Sequence, residues 1–235
     1  MPVPLRPSPC KPARPFAQFV AARALALALA GTLSGVLAEA GRLEQVALER
    51  HGPTTAAAVR DWRSLLDSAA SETDRLTRVN DFFNRRIRFD DDSAVWKQAD
   101  YWATPLETLA AGAGDCEDFA IAKYATLLEA GVPGERLRLI YVRARIGGPH
   151  STISQAHMVV GYYPEPSAEP LILDNLIGEI RPASRRADLF PIFSFTSAGL
   201  WVSGAERSSA DPAARLSRWR SVLERMREEG FALHR

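Results

Sequence analysis

The sequence has few of the residues on which disulfide-rich scaffolds and nucleic-acid-binding proteins depend. It contains 2 cysteines and 4 histidines among 235 residues, and its formal net charge is +1. Two cysteines cannot build a disulfide-rich scaffold, and a charge near zero gives no broad basic surface, so we expect no nucleic-acid partner. No apolar run of membrane length follows residue 40, so the rest of the chain is expected to be soluble. The length and a hydrophobic content of 46% suit one globular domain.

Residues 1–40 differ from the rest of the chain. Four basic residues precede the first acid, Glu39, and residues 24–37 carry no charge. The stretch ends in Ala38-Glu39-Ala40, in which a small residue stands on each side of Glu39. This order predicts a signal peptide over residues 1–40 and an exported domain over residues 41–235. The alternative is an uncleaved amphipathic or anchoring segment.

The scarcity of cysteine draws attention to Cys116. Because Cys10 lies within the predicted leader, Cys116 is the single cysteine expected in the exported chain. It then has no partner for an intramolecular disulfide, and such a leftover thiol is a candidate reactive group. The alternative is an inert side chain that packs like a small hydrophobe.

The pattern of apolar residues and turn signals predicts an α+β fold. Residues 41–92 have helical spacing, with a start signal at Ser71, and Asp90-Asp91-Asp92 is interpreted as a solvated turn that ends it. Asp211-Pro212 is typical of a helix start, and the apolar face of this last helix is expected to pack in the core rather than bind a partner. Between these segments we predict helices over residues 105–111 and 116–129, and strands over residues 136–146, 155–163, 170–174, 189–195 and 199–202.

The turn before Cys116 suits a nucleophile. Residues 112–118 read Gly-Ala-Gly-Asp-Cys-Glu-Asp, so a glycine-rich turn delivers the thiol to the first turn of a helix. The unpaired N–H groups and the dipole there favour thiolate over thiol. A backbone N–H beside the sulfur is also a natural donor to an oxyanion.

His157 is the candidate base. Of the four histidines, it alone lies within a predicted strand and has apolar neighbours. Asp174 ends the next predicted strand, and antiparallel pairing would place it beside His157, where it would orient the imidazole of a Cys-His-Asp triad. The alternatives are a structural histidine and an aspartate that only opens a turn.

Acidic residues crowd the thiol, since Asp115, Glu117 and Asp118 surround Cys116 in the sequence. Their charge should raise the pKa of the thiol. They can be explained by helix capping alone, or by a cation that offsets them, for which carboxylate oxygens favour Ca²⁺.

Several motifs together resemble a known family. They are Trp-Ala-Thr-Pro-Leu-Glu-Thr-Leu from Trp102, Gly-Asp-Cys-Glu-Asp-Phe-Ala-Ile-Ala-Lys-Tyr from Gly114, His-Met-Val-Val from His157, Leu-Asp-Asn from Leu173 and Gly-Leu-Trp from Gly199. With them the chain resembles the bacterial transglutaminase-like cysteine proteinases, and among these the LapG-type periplasmic proteases. The resemblance extends from about Trp62 to Trp201.

The resemblance implies a fold and a site. The fold is a papain/transglutaminase-like core, in which a cysteine-bearing helix packs on an antiparallel sheet. The nucleophile, base and orienting acid fall on Cys116, His157 and Asp174. The family's dependence on calcium implies Ca²⁺ as cofactor, with Asp115 and Glu117 among its ligands.

The resemblance also implies a substrate, a partner and a place in the cell. The protein would be a calcium-dependent periplasmic endopeptidase that cleaves the N-terminal region of a large surface adhesin and so promotes biofilm dispersal. The periplasmic domain of an inner-membrane receptor for cyclic di-GMP would inhibit it. An exported enzyme does not meet the cytoplasmic nucleotide, so no direct binding of cyclic di-GMP is expected.

Two other functions remain open at this point. A transglutaminase-like acyltransferase or amidase, acting on periplasmic protein or cell-wall amides, would use the same triad, because each reaction begins with attack of a thiolate on an amide. A binding module without catalytic activity is the third possibility, and an unreactive Cys116 would favour it.

Overall fold

A computed structural model describes residues 41–202, 208 and 210–233. The predicted signal peptide and His234 lie outside the described residues. The helices are α1 (residues 41–51), α2 (Pro53–Asp67), α3 (Glu72–Arg86), α4 (Asp92–Val95), α5 (Pro105–Ala111), α6 (Cys116–Glu129), α7 (Pro212–Arg215) and α8 (Ser217–Glu229). The strands are β1 (Arg88–Phe89), β2 (Ala113–Gly114), β3 (Leu137–Arg145), β4 (Ser154–Tyr162), β5 (Leu171–Leu173), β6 (Arg181–Pro182), β7 (Leu189–Phe195) and β8 (Leu200–Val202).

The main sheet is antiparallel and has the strand order β6-β5-β4-β3-β7-β8. One face carries Leu139, Met158 and Phe195 into the main core, and the other face carries a smaller apolar cluster around Val142 and Val159. Strands β1 and β2 form a separate parallel pair that joins the end of α3 to the turn before α6. The α+β class predicted from the sequence is confirmed.

Helix α6 is the central helix of the fold. It packs against β4 and β3 on one side and against α3 and α5 on others. Every side chain from Asp118 to Leu128 is buried, so the helix is enclosed on all sides over this length. Each large apolar side chain buried here contributes about 1.5–3 kcal/mol. This packing fixes where the first residue of α6 lies relative to the sheet.

Local signals set several of the helix ends. Ser71 caps α3 by accepting a hydrogen bond from the Asp74 amide, and Thr104 with Glu107 forms a capping box at the start of α5. Gly112 ends α5 in the left-handed conformation, with φ of 61°. Gly230 ends α8 in the same way.

The prediction of one unbroken helix after Asp211 was wrong. Leu216 has φ of −113° and ψ of 92° and separates α7 from α8. The break lets Leu216 pack against the main core, while Trp219 of α8 donates from Nε1 to the Thr196 carbonyl at 2.9 Å. Within the described residues, no helix has the length and apolar content needed to cross a membrane.

Candidate active site

The turn that presents Cys116 is built by its two glycines and by Asp115. After Gly112 ends α5, β2 brings the chain to Gly114, where any Cβ would lie 2.8 Å from the Cβ of Asp118. Only glycine permits this approach of backbone and side chain. Asp115 then caps α6, and its Oδ1 accepts from the Glu117 amide at 3.2 Å. Cys116 is therefore the first residue of the helix, as predicted.

The thiol of Cys116 is half-buried and has two polar neighbours. It donates to Oε2 of Glu117, with 2.7 Å between sulfur and oxygen. The backbone N–H of Met158, the residue after His157, also acts on the sulfur and favours its negative form. Burial, Glu117 and Asp115 raise the pKa of the Cys116 thiol, and the Met158 amide opposes them. In this arrangement the thiol form is favoured.

His157 and Asp174 lie side by side in the buried part of the site. Strand β5 pairs with β4 up to Leu173, so the next residue, Asp174, reaches back to His157, and Oδ1 lies 2.7 Å from Nε2. Both side chains are almost fully buried, at 1% and 2% exposure. The antiparallel neighbourhood expected from the sequence is what brings these two residues together.

The charge of Asp174 fixes the tautomer of the histidine. Burial raises the pKa of Asp174, but the hydrogen bond and charge of His157, the Arg186 hydrogen bond and the Leu176 amide outweigh it and lower the pKa to about 2. Asp174 is therefore a carboxylate that can only accept, so Nε2 of His157 carries the proton. Nδ1 of the neutral ring is then left as an acceptor.

Sequence reasoning missed two side chains that hold Asp174. Arg186, buried just before β7, donates from Nη2 to Oδ2 of Asp174 at 2.6 Å. Asn84 of α3 donates from Nδ2 to the Asp174 carbonyl at 2.8 Å. No motif marks either residue, because each is 10 or more positions away along the chain and meets Asp174 only in the folded protein.

A group of acidic side chains lies around the turn that precedes Cys116. The carboxylates of Asp92, Asp115 and Asp118 have oxygens within 4.8 Å of one another, as do the ligand atoms of Asp115, Cys116 and Glu117. The interpretation of Asp92 as part of a solvated turn was wrong, because its side chain is buried at 6% exposure at the start of α4. Strands β1 and β2 bring it there by pairing the end of the preceding helix with the cysteine turn.

These acids suit a hard cation. Among the described residues, Oδ1 of Asp92 is buried and has no hydrogen-bond partner, although Oδ2 accepts from the Tyr101 amide. Burial and the charges of Glu117, Asp118 and Asp92 raise the pKa of Asp115, and burial is the main cause that raises the pKa of Asp118 to about 7. An unsatisfied carboxylate oxygen beside two further carboxylates offers oxygen ligands of the kind that Ca²⁺ prefers.

Two other histidines, His51 and His150, lie in the part of the chain that the structure describes. His51 is the last residue of α1, and His150 lies in the turn between β3 and β4. Neither was expected to act as the base.

Comparisons with known proteins agree with this geometry. Residues 53–203 match the family model of the bacterial transglutaminase-like cysteine proteinases. Three solved structures of LapG from Legionella pneumophila are similar at 37% identity: EGTA-treated LapG with a TM-score of 0.69, calcium-bound LapG with 0.68, and LapG with 0.67. Each match covers 80% of this chain and 97% to 98% of the other.

A search of the curated proteins found no match. The family match covers well over half of the chain, and the LapG structures match its fold over most of its length. The chain belongs to the bacterial transglutaminase-like cysteine proteinases.

Proposed function

We propose that this cysteine protease is a calcium-dependent endopeptidase that acts in the periplasm on the N-terminal region of a large surface adhesin. The observation that carries the proposal is the buried His157–Asp174 pair beside the helix that starts at Cys116. In it a candidate nucleophile, base and orienting acid come from three separate elements. The 37% identity to LapG over 97% of its chain supports the assignment.

The proposed reaction uses the three side chains in turn. Nδ1 of His157 takes the proton of Cys116, and the thiolate sulfur attacks the carbonyl carbon of the scissile amide. The Cys116 amide belongs to the first helical turn, where N–H groups lack helical partners, so it is the candidate donor to the oxyanion. The C–N bond then breaks, and the imidazolium gives its proton to the leaving amine.

Water completes the cycle. It attacks the thioester while His157 takes its proton, the C–S bond breaks to release the acid product, and the imidazolium returns the proton to the sulfur to restore the thiol. Throughout, Asp174 keeps Nε2 protonated by its 2.7 Å hydrogen bond and stabilises the imidazolium that forms in each half-reaction.

The acid group is the proposed calcium site. The ligands expected from the sequence were Asp115 and Glu117, and the position of Asp92 and Asp118 beside Asp115 adds two more candidates. When bound, Ca²⁺ supplies positive charge that offsets the carboxylates around the thiol. One of the similar LapG structures is calcium-bound, which supports calcium as the ion.

The cellular setting is part of the same proposal. A signal peptide over residues 1–40 takes the enzyme to the periplasm, where it meets the adhesin and the periplasmic domain of an inner-membrane receptor for cyclic di-GMP. That domain restrains the protease, and the nucleotide itself does not bind this chain. Cleavage releases the adhesin and favours dispersal of the biofilm.

The test is direct proteolysis of an adhesin fragment. The purified protein is incubated with the N-terminal region of a large adhesin from the same cell, with Ca²⁺ or with EGTA, and Cys116→Ala is the control. We expect one cleavage that needs both Ca²⁺ and the thiol. No cleavage with Ca²⁺, or equal cleavage by Cys116→Ala, would contradict the proposed function.

A further inference from the structure

Asp174 has every polar atom of its side chain engaged. Oδ1 lies 2.7 Å from Nε2 of His157 and accepts from the Leu176 amide at 3.1 Å. Oδ2 accepts from Nη2 of Arg186 at 2.6 Å. A carboxylate held at both oxygens cannot rotate about its χ2 angle without breaking a charge-assisted hydrogen bond. Arg186, which binds the oxygen that does not face His157, therefore helps to orient the carboxylate toward the histidine.

Arg186 is itself held in place. Its side chain is 1% exposed, and it contacts Asp188 through Nε at 3.0 Å and through Nη2 at 2.8 Å. Its amide donates to the Ala183 carbonyl, and its carbonyl accepts from the Leu189 amide. A buried guanidinium is costly unless it is paired, and here two carboxylates pair with it. Nη2 thus bridges Asp174 and Asp188.

A second cationic side chain, that of Lys123, also interacts with the charge of Asp174. Lys123 of α6 is 1% exposed, and the charges of Asp174 and Asp81 act on it. In the part of the chain that the structure describes, Nζ of Lys123 has no hydrogen-bond partner. Burial lowers the pKa of Lys123 to about 7. Below this pKa Lys123 contributes charge near Asp174, whereas Arg186 contributes charge and a fixed direction.

We propose that Arg186 is a positioning residue of the active site, which, anchored by Asp188, holds the Asp174 carboxylate ionised and aimed at Nε2 of His157. The inference rests on the proposed function, in which His157 serves as base. Without the guanidinium, Asp174 keeps one partnered oxygen, and its other oxygen is left buried without a donor. Such a carboxylate protonates more readily and turns more freely, and the histidine then loses the group that selects its tautomer.

The first experiment measures the two consequences by NMR, independently of catalysis. The protein is labelled with ¹³C-aspartate and ¹⁵N-histidine, and the Asp174 and His157 signals are assigned by their absence in Asp174→Asn and His157→Gln. In the wild type we expect a pKa of about 2 for Asp174 and a proton on Nε2 of His157. In Arg186→Met the pKa of Asp174 should rise by about 1–3, the effect of one neighbouring arginine, and the Nε2–H tautomer should no longer be uniform.

Three matched variants separate the orienting effect of Arg186 on Asp174 from the effect of its positive charge. Arg186→Lys restores a charge without the two-pronged geometry, so it should return the pKa of Asp174 only part of the way. Asp188→Asn keeps the guanidinium but loosens its anchor, and it too should give an intermediate result. Lys123→Met removes a cation that makes no hydrogen bond, so it should raise the pKa of Asp174 and leave the Nε2–H tautomer in place.

The outcomes decide the inference. If Arg186→Met remains folded and both the pKa of Asp174 and the tautomer of His157 are those of the wild type, Arg186 is not a positioning residue. If Arg186→Met does not fold, Asp188→Asn, whose side chain is 31% exposed, takes its place, and wild-type values there would overturn the inference equally.

Proteolysis of the adhesin fragment distinguishes this inference from the function on which it rests. Wild type that fails to cleave while the variants still change the tautomer would count against the substrate alone. Wild type that cleaves, with variants that match it in rate, tautomer and pKa, would count against Arg186 alone. We expect cleavage by the wild type and a rate lowered at least about tenfold in Arg186→Met at pH 6, with partial recovery in Arg186→Lys.

Discussion

The thiol of Cys116 and the carboxylate of Glu117 are joined by a hydrogen bond, with 2.7 Å between Sγ and Oε2. Glu117 is also one of the acids whose ligand atoms converge beside the thiol. The candidate nucleophile and the candidate cation site are therefore one connected group. The backbone N–H of Met158, the residue after His157 in β4, also acts on this sulfur.

Replacement of the three candidate catalytic residues should abolish or greatly reduce cleavage of the adhesin fragment. Cys116→Ala removes the nucleophile and His157→Ala removes the base. Asp174→Asn presents an amide where His157 needs an acceptor, so it should favour the wrong tautomer and lower kcat about ten-thousand-fold. Circular dichroism and the melting temperature of each variant check that the fold is kept. Full activity in folded Cys116→Ala would exclude the mechanism.

Calcium binding should depend on Asp92, a residue far from the cysteine in sequence. Asp92→Asn keeps the volume of the side chain but removes the charge of a buried oxygen that lacks a donor. We expect the Kd for Ca²⁺, measured by calorimetry, to rise at least about tenfold. Asp91→Asn is the matched control, because Asp91 is its exposed neighbour and caps α4 without a side-chain hydrogen bond. Equal effects of the two variants would show that the ion binds elsewhere.

Gly114→Ala should disturb the acid group through packing alone. A Cβ at this position would lie 2.8 Å from the Cβ of Asp118, so the turn or the carboxylate must move. We expect a loss of about 1–3 kcal/mol in the free energy of unfolding and weaker Ca²⁺ binding. At Gly178 a Cβ would meet only Nδ2 of Asn84, at 3.9 Å. Gly178→Ala should therefore leave the free energy of unfolding nearly unchanged when both variants are measured by urea unfolding. Similar stability of the two variants would contradict the close approach at Gly114.

Ionisation of the buried Glu229 should lower the free energy of unfolding as the pH rises above the acidic range. Its side chain is 2% exposed, Oε1 accepts from Oγ1 of Thr104 at 2.7 Å, and Oε2 has no hydrogen-bond partner within the described residues. Burial is the main cause that raises the pKa of Glu229 to about 7. The folded-state pKa exceeds the unfolded-state value of about 4.3. Below about pH 4.3 Glu229 is protonated in both states, so its ionisation does not affect the free energy of unfolding. As the pH rises from there through 7, the folded state must ionise a buried carboxyl, and the free energy of unfolding falls.

Glu229→Gln tests this dependence. It removes the ionisation, so the variant should be more stable than the wild type at pH 8, by up to roughly 3 kcal/mol, and the difference should shrink below pH 5. The measurement is urea unfolding at both values of pH. Exposed Glu228→Gln, one position away in α8, is the control and should show little change. A difference that does not vary with pH would show that Glu229 is not the titrating group.

Much of the local structure was determined by the sequence itself. The start of α6 at Cys116 follows from Gly112, Gly114 and the capping residue Asp115, which act within a few positions of the thiol. The strand around His157 and the one before Asp174 follow from their short apolar runs and the prolines between them, and their antiparallel pairing accounts for the meeting of these two side chains. Such features depend on interactions between near neighbours or consecutive elements, so they leave a pattern in the sequence.

Only the tertiary structure decided which distant side chains complete the site. Asp92 joins Asp115 and Asp118 because β1 pairs with β2, and Arg186 meets Asp174 because the segment before β7 folds under the end of β5. Lys123 resembles one polar position on an amphipathic helix, yet it is buried because α6 is enclosed on several sides. The physical reason is that a charged side chain has the same sequence signature whether it faces water or a buried partner. Its partner is chosen by packing between elements, and packing is not periodic along the chain.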